Sequence, residues 1–431
     1  MEPDTPHQLP GLASIGLPRI VVVGGGFGGL ELVKKLVRAP YQVVLIDKHN
    51  HHTFQPLLYQ VATSGLETSS IVFPFRKRFQ HKSNIYFRMG EVIHVHPEQK
   101  RIDTSIGSID YDYLVIATGA VTNFYGMKDA EQHALGMKSI VDAIKLRNTI
   151  IRNFEQALLT TDRIKRNALM DFMIVGGGPT GVELAGALAE LKKHVFPKDY
   201  PELQLDDMDI YLVEAAPKLL GSMSAQASEK ALEYLNKMGV KVMLNTAVKS
   251  YNGEEVLLAS GEKLLCKTLI WTAGVRANPL PGLPPESLTR NGRCRVDAYN
   301  RVVGFDNIFA IGDVACMEGD PGWKNGHPMV APPAMQQGRW LAKNFIRMAK
   351  GKSLKPFRYF DKGTMATVGR NKAVVDLRGL RFQGFFAWYI WMFVHLLYLI
   401  GFRNKIFVFL NWIWSYFSYD KSNRLIIGRP Q

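Results

Sequence analysis

Cysteine is scarce. The 431 residues include three, Cys266, Cys294 and Cys316, odd in number and too far apart for a CxxC pair. That usage argues against a disulfide scaffold or a structural zinc site and fits a reduced, intracellular setting. No apolar run reaches the ~20 residues that a membrane-crossing helix needs. Residues 1–17 are polar and rich in proline and glycine, without a basic stretch leading into an apolar one. Neither a secretory signal nor a transit peptide is therefore expected. No block repeats with a period of about 20–50 residues. Lysine and arginine number 53 against 38 acidic residues, for a net charge of +15. The basic residues are dispersed, without a helix-turn-helix, RRM or zinc-finger pattern, so nucleic acid is not an expected partner. The surplus suits an anionic lipid surface or a phosphate-rich cofactor instead. What is present is globular: 47% apolar and 21% charged residues, in a chain long enough for several buried cores.

Short β-branched runs alternate with helical stretches: Ile20–Val23, Val43–Ile46, Leu114–Ala117, Met173–Val175, Ile210–Val213, Leu269–Trp271 and Ile308–Ile311. Runs this short, apolar and bounded by glycine suit strands buried on both faces of a parallel sheet, so the expected fold class is α/β. A strand–glycine–helix pattern occurs twice. In RIVVVGGGFGGLELVKKL, Gly24, Gly26 and Gly29 take the G-x-G-x-x-G positions. The first permits a tight turn, the second lets backbone approach a pyrophosphate, and the third lets the helix pack closely on the strand. Asp47 ends the next strand 18 residues beyond Gly29, placed to accept from ribose hydroxyls. In FMIVGGGPTGVELAGAL the same positions are Gly176, Gly178 and Gly181, and the acid is Glu214, 33 residues beyond Gly181. An insertion over 194–209 accounts for the excess. An acid there favours NADH, because it repels a 2′-phosphate; Lys218 is the one contrary feature. Two dinucleotide sites in one chain point to hydride transfer from a nicotinamide to a flavin.

At this point the chain resembles the two-dinucleotide-binding-domain flavoproteins, the pyridine-nucleotide reductase superfamily. YDYLVIATG, ending Ala117-Thr118-Gly119, resembles a strand of that superfamily's flavin domain, and NIFAIGDVA, with Gly312 and Asp313, its second flavin fingerprint. Disulfide reductases carry a redox cysteine pair after the first glycine motif. This chain has no cysteine before Cys266, which excludes thiol–disulfide exchange of that type. The wide spacing of its three cysteines and the intact second glycine motif argue against the cysteine-dependent sulfide:quinone oxidoreductases. Within the superfamily the chain resembles the type II NADH dehydrogenases, single-subunit non-pumping NADH:quinone oxidoreductases. The likeness rests on HHTFQPLLYQVATSG (51–65), Glu183 in the second glycine motif, APPAMQQG (331–338) and AWYIWMFVHLLYLIGFRNK (387–405).

The resemblance implies two Rossmann-like domains, glutathione-reductase-like, with a C-terminal helical membrane-anchoring segment. FAD would occupy 1–150 and 290–372, NADH an inserted 165–285 domain, and the anchor 380–431. The implied FAD site is Gly24, Gly26, Phe27, Gly28, Gly29, Asp47, Lys48, Ala117, Thr118, Gly119, Gly312, Asp313 and Ala334. The implied NADH site is Gly176, Gly178, Pro179, Thr180, Gly181, Glu214 and Gly274. A family segment at the quinone end of the flavin, alanine-glutamine-x-alanine-x-glutamine, here reads Ala331-Pro332-Pro333-Ala334-Met335-Gln336, with Pro332 in place of its first glutamine. Gln336 and Gln337 remain, either as donors to a quinone carbonyl or as ordinary polar residues at a helix start. Glu183 matches a family glutamate where a buried carboxylate with a raised pKa relays protons. Thr180–Glu183 reads equally as a capping box, which would spend Glu183 on the helix start. His49, His51 and His52 lack a companion acid or cysteine cluster and read as a polar loop at the flavin rather than a metal site.

Residues 385–400 and 406–419 are almost wholly apolar and aromatic, separated by the basic turn 401–405. Tryptophans flanked by arginines suit a lipid interface; burial in the core or in a dimer contact is the alternative. Seven basic residues lie in 376–431 (Arg378, Arg381, Arg403, Lys405, Lys421, Arg424 and Arg429) against Asp376 and Asp420, which suits an anionic bilayer. His395, inside the first run, faces either the quinone entrance or the lipid interface. The expected activity is hydride transfer from NADH to FAD and of two electrons to a lipid quinone. The expected location is the cytoplasmic face of the cell membrane, peripheral or monotopic, with a homodimer through the C-terminal region as a further option. The rival readings are an NADH oxidase or ferredoxin-type reductase with a soluble acceptor, and a membrane-associated flavoprotein that binds NADH as a signal or scaffold.

Overall fold

The computed structural model describes Leu9 and residues 11–421 and 423–428; Arg429 lies outside them. The chain divides into two compact units, Met1–His52 with Phe73–Val121 and Arg276–Asp361, and Thr53–Val72 with Thr122–Val275 and Lys362–Gln431. The divisions fall elsewhere than the sequence predicts: 53–72, 122–150 and 362–372 belong to the second unit, together with the tail expected as a separate segment, and 276–285 to the first.

The first unit is built on a five-stranded parallel sheet in the order Ile308–Ala310, Tyr113–Ile116, Arg19–Val23, Gln42–Asp47, Ile85–Met89. Val21 pairs with Leu114 on one side and Val44 on the other, and all three are fully buried. Each such side chain stabilises the fold by about 1.5–3 kcal/mol. Helix Phe27–Lys35 follows the central strand directly and ends on Lys34 and Lys35, whose cations suit the negative end of the helix dipole. Helix Ala331–Met348 crosses it where a Cβ on Gly338 would stand 2.3 Å from the Gly28 carbonyl oxygen, so the crossing needs glycine.

The second unit repeats the plan. Its parallel sheet runs Leu135–Gly136, Thr268–Trp271, Phe172–Val175, Ile210–Val213, Lys241–Met243. Helix Pro179–His194 opens on proline at its first position, where a missing N–H costs nothing. At 16 residues it outruns the nine of Phe27–Lys35, and a short helix, Phe196–Asp199, precedes the next strand. This accounts for the long spacing between Gly181 and Glu214. An antiparallel sheet, Thr364–Thr367, Ala373–Leu377, Leu380–Gln383, packs against the same helix and leads into the tail.

Two helices close the chain, Gly384–Tyr398 and Phe402–Ser418. At about 1.5 Å per residue neither spans the ~30 Å of a bilayer core, and among the described residues no helix is long and apolar enough to cross a membrane. Each turns little inward, Ala387 and Trp391 from the first and Val408 from the second. Outward stand Phe386 at 75% exposure, Phe402 and Phe417 at 80%, and Trp414. Burial of these rings in the protein's own core is thus overturned. Lys405 Nζ donates to the Leu397 carbonyl at 2.9 Å, closing the end of the first helix.

Candidate functional site

The two glycine loops superpose in their chemistry. Gly24 and Gly176 hold φ of +103° and +107°, a left-handed turn that a side chain would strain. A Cβ on Gly29 would stand 1.9 Å from the Gly24 oxygen, and one on Gly181 1.9 Å from the Gly176 oxygen. At Gly26 and Gly178, by contrast, a Cβ would meet nothing within 4 Å. Each loop therefore leaves open space at its second glycine, immediately before a helix N-terminus whose first N–H groups have no partner within the helix. Each cradle has room for the pyrophosphate of a dinucleotide, which suits the two expected cofactors, FAD and NADH.

The strand-end acids brace these loops. Asp47 Oδ2 accepts from the Gly25 N–H and Oδ1 from that of His49, both at 2.7 Å. Glu214 Oε2 accepts from Gly177 and Oε1 from Ala216. Lys48 and Thr180 are exposed and Pro179 is half-buried. Ala117 backs Gly24, and Thr118 Oγ1 donates to the Asn278 carbonyl at 2.6 Å; Gly119 takes a left-handed turn. Ala334 packs against Gly28 and Gly312, joining the second flavin fingerprint to the first loop; Asp313 follows within the short turn Gly312–Val314. Gly274 is left-handed, and a Cβ there would lie 2.6 Å from the Tyr125 hydroxyl. His52 is buried and bonded to the Gly25 carbonyl through Nδ1, beside the Phe27 ring, and burial pushes its pKa down to about 4. Its Nε2 is buried without a protein partner, an orphan that a bound flavin could satisfy. Among the described residues no cluster of metal-ligating groups exists.

The glutamines are committed elsewhere. Gln336 clips the Phe360 backbone, donating to its carbonyl at 2.8 Å and accepting from its N–H at 3.1 Å. Gln337 is buried and accepts from the Gly312 N–H at 2.7 Å.

Glu183 does not cap its helix: the N-cap is Gly178, without a side-chain bond. Glu183 as a residue is 7% exposed. Its Oε1 accepts from the Trp391 indole N–H at 3.2 Å and the Thr367 N–H at 3.4 Å. Burial pushes its pKa up to about 8, against these two bonds. It lines an open cavity with Tyr59, Trp388, Trp391, Trp412 and Tyr416 among the walls. Trp412 Nε1 donates to Gln60 Oε1 at 2.8 Å, and the Tyr59 hydroxyl meets Thr367 Oγ1 at 3.2 Å. Arg370 lies over the Tyr419 ring at 3.5 Å. His395 folds inward, stacked on Trp391 with centroids 4.0 Å apart and Nδ1 on the Trp391 carbonyl, and burial lowers its pKa to about 4. Tyr59, Thr367 and Arg370 were not singled out from the sequence, because nothing local marks them. The three cysteines are buried, and burial raises each thiol's pKa, so none is poised as a nucleophile.

The family model described as pyridine nucleotide-disulphide oxidoreductase matches residues 18–338, and the NDH2 C-terminal domain matches 362–418. The type II NADH:quinone oxidoreductase Ndh of Mycobacterium tuberculosis is 36% identical over 96% of this chain and 91% of its own length. The type II NADH:quinone oxidoreductase of Staphylococcus aureus is 30% identical over 83% of this chain and 89% of its own. Among solved structures, NDH2 from Plasmodium falciparum in complex with NADH matches with a TM-score of 0.87 at 22% identity, over 95% of this chain and all of that one.

Proposed function

The chain belongs to the type II NADH:quinone oxidoreductase family, and on that footing we propose that it reduces a lipid quinone at a membrane surface, with Glu183 as the proton donor. It is a flavin-dependent, non-proton-pumping oxidoreductase whose cofactors are FAD and NADH. Bound FAD supplies the ring that takes a hydride from NADH and yields two electrons to the quinone.

The proton balance assigns work to the protein. NADH delivers two electrons and one proton, whereas a quinol carries two protons, so the second must be brought in. A carboxyl group that is protonated at neutral pH and faces a cavity can provide it. Glu183 is the observation that carries the reading: buried, with a pKa raised to about 8, on the wall of a cavity lined by flat aromatic rings. Gly26 and Gly178 leave room for the pyrophosphates, Asp47 and Glu214 keep the loops in shape, and the helix N-termini face the anions. Gln336 and Gln337 act as braces.

The test is an absorbance titration of the purified holoprotein without oxygen. NADH is expected to bleach the flavin band and a short-chain quinone to restore it. A band that stays bleached after quinone would overturn the assignment of the acceptor.

The enzyme is membrane-associated, and we place it on the cytoplasmic face, held by the exposed rings of its last two helices on anionic lipid. Deleting 380–431 would test this poorly, since it also removes Trp391 from Glu183. Replacing the exposed Phe402 and Phe417 by aspartate spares the interior. If each ring stabilises the bound state by about 1.5–3 kcal/mol, affinity for anionic vesicles in a sedimentation assay falls by at least about a hundredfold. Unchanged vesicle binding, or a loss of dimer in its place, would overturn the anchoring role.

A further inference from the structure

The partners of Gln337 set a direction along a buried chain of hydrogen bonds. Gly312 stands in the left-handed region at φ +77°, and its N–H donates to Gln337 Oε1. With the oxygen so engaged, the NH2 end of the amide faces His327 Nδ1 at 3.2 Å. An amide NH2 only donates, so Nδ1 must be the bare nitrogen of the ring. The single ring proton then sits on Nε2, 3.1 Å from Asp320 Oδ2. Asp320 is in turn held by the N–H groups of Tyr359 and Gly322. Gln337 is 1% exposed and His327 2%, so neither can exchange its partner for water.

We propose that His327 is a positioning residue for the flavin-facing turn Gly312–Asp313. Neutral and protonated on Nε2, it orients Gln337 so that the amide oxygen holds Gly312, and a proton on Nδ1 releases that hold. The proposal rests on reading this turn as part of the flavin site.

The mechanism follows from donor and acceptor counting. A proton on Nδ1 sets two donors face to face. If the amide flips to offer its oxygen to the histidine, its NH2 meets the Gly312 N–H, again donor against donor. A proton at one end thus breaks a bond at the other. The groups facing the imidazole are Asp320, which favours the cation, and Arg293, whose guanidinium donates to the His327 carbonyl at 2.9 Å and disfavours it. The Tyr359, Phe357 and Trp323 rings complete the wall. Burial, the largest influence, holds the pKa below its usual value. The neutral form therefore prevails at pH 7, and the hold on Gly312 erodes as the pH falls below the ordinary histidine range.

Nitrogen NMR of the holoenzyme with labelled histidine is expected to show His327 as the Nε2–H tautomer at neutral pH. In the wild type, flavin affinity falls as the solution is acidified. Gln337→Glu should reverse that sign, because a carboxylate accepts from both Gly312 and a doubly protonated His327. His327→Leu should weaken flavin binding about five- to tenfold and flatten its pH dependence, and His327→Asn, whose oxygen reaches towards the Nδ1 position, should restore most of it. An Nδ1–H or doubly protonated His327 in the wild type, or an unreversed profile in Gln337→Glu, would overturn the proposal. Unchanged flavin affinity in Asp313→Ala would instead sink the reading of the turn, whichever tautomer the spectra show.

Discussion

Gly26→Val is expected to give a folded protein stripped of its flavin, and Gly178→Val a fully flavinated one that scarcely binds NADH. Both follow from the same geometry. Gly26 has φ −66° and Gly178 φ −72°, conformations open to any residue, and a Cβ at either position meets no protein atom within 4 Å. The fold loses nothing, yet the side chain fills the space in which we place the pyrophosphate before the helix N-terminus. Two charge-assisted hydrogen bonds forfeited there, each worth about 1.5–3 kcal/mol, weaken the cofactor by roughly a hundredfold to ten-thousandfold. The ratio of flavin to protein absorbance reads the first effect, the KM for NADH the second, and thermal melting checks the fold. Gly29→Val is the contrast: its Cβ would lie 1.9 Å from the Gly24 oxygen, so that variant should fail to fold. A yellow, fully loaded Gly26→Val enzyme would sink the assignment of the first loop.

For Glu183→Gln the expected result is a split between acceptors. The amide keeps an oxygen for the Trp391 and Thr367 donors, so the cavity wall stands. What it lacks is a transferable proton. Turnover with a short-chain quinone should fall by about 10²–10⁴, the usual contribution of general acid catalysis, while NADH-to-dye turnover persists. In the wild type, quinone turnover should decline as the pH rises through about 8, and the variant should lose that limb. Stability carries an independent signature. The native state keeps a proton that the unfolded chain releases above the ordinary carboxyl range of ~4.3, so stability falls as the pH climbs from there to about 8. The variant lacks that slope and should be the more resistant protein at alkaline pH. Undiminished quinone turnover would sink the role given to Glu183.

The two halves of the candidate site were unequally legible. Gly24, Gly26 and Gly29 could be read because the contacts that demand glycine are local: the Cβ of Gly29 is barred by an oxygen five residues earlier. Asp47 and Glu214 end the neighbouring strands of the same motifs, though the structure shows their carboxylates bracing loop N–H groups, a use that the spacing alone did not disclose. Glu183 could be named but not interpreted, since the capping pattern around it was as good as the catalytic one. Its donors, Thr367 and Trp391, come from a sheet and a helix far along the chain. Gln337 stayed open between two readings for a related reason. Its place beside a flavin fingerprint was legible, but the histidine that fixes its orientation was not.

Periodicity and glycine spacing determined by themselves that this chain would form two parallel sheets, each with an anion cradle at its central strand, because those requirements are settled within a few dozen consecutive residues. The two apolar runs of the tail likewise declared their length and the basic turn between them. Which way its rings point, which carboxyl group keeps its proton and which partners the two glutamines take depended on packing between distant segments. Burial and hydrogen-bond partners are properties of the assembled fold, and only the tertiary structure could decide them.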